Sequence, residues 1–342
     1  MARKTHLLVG DEHGLLRLFS SDGGQTWSTP EVAIPDVEVA ALKGAPDGTV
    51  YVGTRGHGLF RSRNGLERWE HVETPAGLEK VRSICISPDR FLVGTEAGER
   101  PAGVYEWDGG KRWQPLGDVT TCPGSTQWFY PVPTEGVHIR DLSIDVQHPE
   151  RIYAAVQVGG VAISPDNGDT WSDRRNLDLD VHMIQPHPNR PGVLFAGSGG
   201  EGVFRSRDSG ETWERIGLEC GNFVVEFAMD PRDPSRMYVG TGRGHVPDWR
   251  KDPAGARGEM FCSEDGGETW RKLAVGLPDQ LQARPNTVFV DPEEPDNVYF
   301  GAGLVRNTGA TDGGVFHSGD RGESWRKILD GGEPVAFWTR WE

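Results

Sequence analysis

One eight-residue pattern recurs along the chain and restricts what it can fold into. The stretch Ser263-Glu264-Asp265-Gly266-Gly267-Glu268-Thr269-Trp270 reads S-x-D-x-G-x-T-W. The pattern also fills residues 20–27, 164–171 and 206–213, and returns at 318–325 with Ser324 in place of Thr. Two weaker copies keep the frame, 62–69 with Asn64 at the acidic position and 106–113 with Asp108 and Gly110. These residue types at this spacing predict a tight hairpin turn. The carboxylate accepts backbone N–H groups, Gly takes the left-handed conformation, and Trp packs beneath as a plug.

The seven tryptophans that close the repeats stand at 27, 69, 113, 171, 213, 270 and 325, at intervals of 42, 44, 58, 42, 57 and 55 residues. A unit of about 42 residues with insertions suits a propeller blade of four short strands. In the best-formed unit, strand A is expected over 224–229, strand B over 237–241, strand C over 258–263, the repeat at the C–D turn, and strand D from 270. The N-terminus enters at strand B (5–9) and has no strand A of its own. Residues 334–340, after the seventh repeat, supply it. The expectation is an all-β chain forming a single seven-bladed propeller over 1–342, closed by pairing of its two ends, which removes open sheet edges.

The repeated S-x-D-x-G-x-T-W turn resembles the Asp-box, or BNR repeat, of sialidases, sortilin-type receptors and related propellers, and the resemblance covers almost the whole chain. In that family the box is a structural turn remote from the active site. The resemblance therefore implies the fold and leaves function open. Sialidases also carry an arginine triad, a Tyr–Glu nucleophile pair and an F/Y-R-I-P segment before the first box. This chain has no such segment, and Tyr51, Tyr153, Tyr238 and Tyr299 share one strand-B position that reads as core.

The formal net charge of −15 argues against a nucleic-acid backbone or an anionic membrane as partner. Forty-seven Gly and 24 Pro punctuate short Val/Ile/Tyr/Phe runs, as hairpin-rich β structure requires. Cys85, Cys122, Cys220 and Cys262 lack metal-knuckle spacing and read as thiols, with a Cys122–Cys220 bridge left open. The N-terminal apolar run is too short for a signal peptide and no stretch approaches a membrane span, so the expected location is cytoplasmic. The Gly-rich stretch 197–202 follows a strand but leads into another strand, which excludes a nucleotide cofactor of the dinucleotide type.

Insertions fall at about 114–137, 242–257, 278–285 and 303–312, all assigned to the face bearing the B–C loops and D–A connections. Long loops on one end of a rigid scaffold carry function. His57, His138, His182 and His245 map to that face, and neutral imidazoles from different blades would suit a divalent transition metal, with Glu12, Asp141 or Glu226 adding oxygen. Arg55, Arg82, Arg140, Arg243 and Arg306 map there as well, and guanidinium groups bind carboxylate, sulfate or phosphate in pairs of hydrogen bonds. The insertion text Trp128-Phe129-Tyr130 offers an aromatic lid.

The leading expectation is a soluble metal-assisted hydrolase or lyase acting on a small organic or sugar-derived substrate. The four histidines hold the metal, Arg140 and Arg243 orient an anionic group, and Glu226 serves as general base. Arg55, Arg82, Arg306, Trp128 and Tyr130 bind the substrate. A non-catalytic ligand-binding or assembly propeller is the alternative, and a sialidase-like glycoside hydrolase using Glu12, Glu201 and Asp141 is the third.

Overall fold

The computed structural model describes residues 4–63, 66–131, 136–303, 312–332, 334 and 336–341. Its strands form seven four-stranded antiparallel sheets, the blades of a seven-bladed β-propeller. Six sheets run in chain order from strand A to strand D. The remaining one takes its first strand from the far end of the chain. There Ala336–Trp341 pairs with Thr5–Gly10, Gly10 opposite Ala336 and Thr5 opposite Trp341. Phe337 is 4% exposed and packs with Leu7, Val9, Leu18, Tyr299 and Val315.

The chain divides into two compact units. The first comprises Met1–Asp36, Gly199–Val203 and Arg215–Glu342, and its core gathers Tyr238, Met260, Val288, Phe300 and Trp325. The second comprises Val37–Ser198 and Phe204–Glu214, with cores around Leu92, Ile139, Val156 and Trp171 and around Tyr153, Ile184 and Phe204. Alternation along each strand sends successive side chains to opposite faces, so each sheet can bury apolar residues on both. Tyr153, Tyr238 and Tyr299 are fully buried, and Tyr51 is half-buried. All four cysteines are free thiols. Among the described residues no helix is long and apolar enough to cross a membrane.

The repeated turn is a closed hydrogen-bond circuit. In the Ser263 copy the Ser hydroxyl donates to Asp265 Oδ1 (2.8 Å) and accepts the Gly267 N–H (2.8 Å). Thr269 donates its N–H to Oδ1 (2.9 Å) and its hydroxyl to Oδ2 (2.6 Å), and the Trp270 indole donates to the Gly267 carbonyl (3.2 Å). The copies at Ser20, Ser164, Ser206 and Ser318 repeat the circuit. Gly267 sits at φ 87°, and Gly24, Gly168, Gly210 and Gly322 lie between 81° and 93°, where a Cβ would be strained. The weaker copy at 106–113 differs in its donor, because the Trp107 indole reaches Gly110 O and stacks on Trp113. The Thr hydroxyls hold Asp22 and Asp265 down at about 2. The stability this gives is present above the ordinary carboxylate value and is lost as pH falls through about 2.

Ser263→Ala leaves the buried Gly267 N–H without an acceptor, and urea unfolding should show a loss of about 1–3 kcal/mol. An unchanged midpoint would mean the circuit is decorative. Deleting residues 335–342 uncovers the edge of Thr5–Gly10 and the pocket of Phe337, so the melting temperature should collapse; equal melting curves would contradict closure by the two ends.

Candidate functional site

Each strand A except Ala336–Trp341 breaks register with strand B near its start. The shifts fall between Val39 and Ala41, Val81 and Ser83, Ile139 and Asp141, Val181 and Met183, Val224 and Phe227, and Pro285 and Thr287. A bulge places an extra residue outside the ladder and re-aims its side chain. The residues so presented include Arg82, Arg140 and His182 in the second unit and Asn286 in the first. The sequence places His182 where an inner strand begins and Arg82 and Arg140 near the same mouth, while the bulge, and with it Asn286, shows only once the partner strand is known.

A residue at or just after the bulge ties one sheet to the next. Asp141 Oδ2 accepts the Ile184 N–H at 3.0 Å, and Glu226 Oε2 accepts the Val288 N–H at 3.3 Å and the Thr287 hydroxyl. Ser83 donates to the Ile139 carbonyl (2.9 Å) from the corresponding place. Glu226, expected as general base, and Asp141, weighed as a metal or glycosidic carboxylate, are thus inter-sheet clamps. Desolvation pushes the Asp141 carboxyl above its ordinary value despite that donor.

In the second unit Glu96, 4% exposed, gathers three cations. Lys80 Nζ lies at 2.7 Å, Arg82 Nη1 at 3.2 Å and Arg55 Nη2 at 3.8 Å, and Arg55 also pairs with Glu38. The other arm of Arg82 meets His138 Nε2 at 2.9 Å. A guanidinium only donates, so in this contact Nε2 is the acceptor, while Nδ1 faces the Gly136 carbonyl at 2.9 Å. Gln157 Oε1, itself an acceptor, lies 2.7 Å from the same Nε2, so two partners of opposite hydrogen-bonding character meet one nitrogen. Burial first, and then the Arg82 charge, push His138 down to about 2, so the ring is neutral.

Arg55 and Arg82, expected to bind substrate, therefore neutralise a buried carboxylate. His138 has both nitrogens engaged. Of the other histidines expected as ligands, His57 is exposed, and buried His182 lies 3.2 Å from Asp180 Oδ1. His245, in the first unit, is exposed and precedes the helix Val246–Trp249. Among the described residues no three His, Cys, Asp or Glu side chains converge to hold a metal ion.

Arg140 is the exception. Its side chain is half-buried at the bulge of Ile139–Ile144, and among the described residues it has neither ion pair nor hydrogen bond. Its charge is felt by His138 and Asp141. Arg243 in the first unit, expected to orient the substrate, is paired with Glu259 Oε2 at 3.0 and 2.8 Å, beside Lys272. Arg306 lies outside the described residues.

The aromatic insertion is ordered by its own hydrogen bonds. Asp118 caps Val119–Thr121, Asp173 Oδ1 accepts the Gly124 N–H (3.2 Å), and Arg175 donates to Gln127 Oε1 (2.8 Å). Trp128, expected to bind substrate, is 9% exposed and packs into the cluster of Leu116, Val119 and Val156, where it anchors the insertion. Tyr130 sets its ring edge against His138, centroids 4.9 Å apart.

The family model described as "Sortilin-Vps10: Sortilin, neurotensin receptor 3" matches residues 201–341. A Paenibacillus protein named xyloglucanase is 27% identical over 241 residues, covering 59% of this chain and 22% of its own length. An Emericella nidulans protein named oligoxyloglucan-reducing end-specific xyloglucanase is 27% identical over 222 residues, covering 56% and 24%. The chain thus spans less than a quarter of the length of these relatives. Among solved structures, the GH74 xyloglucanase of Xanthomonas campestris superposes with a TM-score of 0.63 at 16% identity, over 84% of this chain and 45% of that one. YCF48 from Cyanidioschyzon merolae does so with 0.59 at 18%, over 87% and 93%. At these identities the structural likeness shows the fold alone.

Removing one partner of a buried ion pair strands the other, so Arg82→Ala should cost about 3–5 kcal/mol in denaturant unfolding. The sign of the His138 contribution follows from its lowered value. Below about 6.5 the unfolded chain takes up a proton that the folded chain refuses until about 2, so stability falls with pH in that window. The slope from this group is at most about 1.4 kcal/mol per pH unit. His138→Gln should flatten the curve between pH 6.5 and 4; an identical slope in the variant would contradict the neutral buried ring.

Proposed function

We propose that this chain is a carbohydrate-acting hydrolase whose ligand binds at the strand-A bulges of the second unit. Arg140 anchors it, and the His182–Asp180 pair moves the proton. The observation that carries this reading is the Arg140 guanidinium, which makes no ion pair or hydrogen bond among the described residues. A half-buried cation is costly to leave without partners. Here it stands beside a cluster in which Arg55, Lys80 and Arg82 already outnumber Glu38 and Glu96, in a chain that is acidic overall. Its planar fork of donors suits a pair of sugar hydroxyls or a carboxylate. The xyloglucanase names of the sequence relatives support the substrate class.

Arg140 and His182 occupy the bulges of consecutive sheets, and the Asp141–Ile184 bond fixes the register between their strands. Glycoside hydrolysis needs groups that activate water and protonate the leaving oxygen. Glu38 and Glu96 are held in ion pairs and Asp141 in the clamp, and this reading takes buried His182, 3.2 Å from Asp180 Oδ1, as the proton-handling group. Among the described residues no three His, Cys, Asp or Glu side chains converge, and this reading assigns the proton to a side chain. A non-catalytic binding propeller is the second reading, favoured by how many charged groups are already paired internally.

Purified protein incubated with xyloglucan oligosaccharides, other β-glucan oligomers and uronate-containing oligomers should release shorter products from at least one. His182→Gln should lower kcat by about 10²–10⁴-fold. Arg140→Ala should weaken substrate binding by about 1.5–3 kcal/mol with unchanged melting. Saturable binding lost in Arg140→Ala, without turnover, would select the non-catalytic reading. Absence of both binding and turnover would reject the site.

A further inference from the structure

We infer that Phe129 is the stacking platform for one pyranose ring of the ligand, with the Tyr130 hydroxyl bonding to one of that sugar's oxygens; this rests on the carbohydrate reading above. Trp128 has extended backbone, φ −70° and ψ 133°. Neighbouring side chains of an extended segment point to opposite sides. Trp128 goes into the core, so Phe129 is driven out, 55% exposed, and Tyr130 lies back against His138. The hydrogen bonds of Asp118, Asp173 and Arg175 hold the preceding turns. Phe129 therefore cannot turn inward without extracting Trp128, and an apolar ring stays in water until something covers it.

The size of the exposed feature decides what covers it. Among the described residues the other exposed large hydrophobics are the aliphatic Val32, Val146, Leu218 and Val275, spread along the chain, so Phe129 is the single exposed aromatic. A stable protein interface needs roughly 800 Å² per partner, and one aromatic side chain offers about 150–250 Å². One ring matches one sugar, whose apolar face covers it. The second observation is polar. Among the described residues the Tyr130 hydroxyl has no hydrogen-bond partner, although its ring is fixed on His138, two residues before Arg140. A pinned phenol with an unused hydroxyl reads ligand oxygens at little entropic cost.

The test uses the full chain with the oligosaccharide found to be bound or turned over, and measures KM, or Kd without turnover, together with molecular mass by sedimentation. Phe129→Ala should raise the constant roughly three- to tenfold, Phe129→Trp should restore it, and Tyr130→Phe should raise it with the ring retained. In Phe129→Trp the new indole fluorescence should shift to shorter wavelength on saturation with the sugar. Wild-type constants in Phe129→Ala and Tyr130→Phe, with an active parent, would overturn this inference while leaving the carbohydrate reading standing. A dimer that dissociates in Phe129→Ala at unchanged affinity would make the ring a protein contact and overturn it as well. A parent that neither binds nor cleaves any oligosaccharide would overturn both.

Discussion

A backbone N–H that leaves its ladder has to find another acceptor, and much of the polar architecture described above answers that requirement. At the box turn, the N–H groups of Gly267 and Thr269 leave the sheet, and Ser263 and Asp265 receive them. At or just past the strand-A bulge, Asp141 and Glu226, on the preceding sheet, receive the N–H groups of Ile184 and Val288. Turn and bulge are solved alike, by a short acidic or hydroxyl side chain at a fixed repeat position. Many of the chain's carboxylates are consumed in this way, which is why an acidic sequence offers few candidates for acid–base chemistry.

What could be read from the sequence was what depends on local spacing. The box circuit, the four-strand blades and the pairing of 336–341 with 5–10 all follow from periodic signals or from a strand missing at one end. What could not be read depends on a neighbour distant in sequence. Glu226 looked like a base because nothing near it in the chain announces Thr287. Arg82 and Arg140 are alike in sequence context, yet Glu96 captures one and leaves the other. The Trp128-Phe129-Tyr130 run turned on parity, since one position of shift decides which ring is buried. Alternation along an extended segment was available as a rule, but its phase required the core.

The buried cluster around Glu96 has a consequence for the open cation beside it. Paired charges in a dry interior do not rearrange cheaply, so Arg55, Arg82 and neutral His138 form a fixed wall. Tyr130 rests on the His138 ring of that wall, and Arg140 follows His138 two residues later. Such a site would recognise ligand with side chains already in place, and its selectivity would come from donors, because acceptors on that wall are already used. Oxygen-rich ligands fit this balance better than amines.

The central claim, that an oxygen-rich ligand lies against Arg140 in the second unit, is tested most directly by a crystal structure of the protein soaked with the oligosaccharide it binds. The account predicts density for a sugar within hydrogen-bond distance of the Arg140 guanidinium, with the Glu96 cluster unmoved. Density confined to the box turns, or a bound sugar that leaves Arg140 untouched, would contradict it.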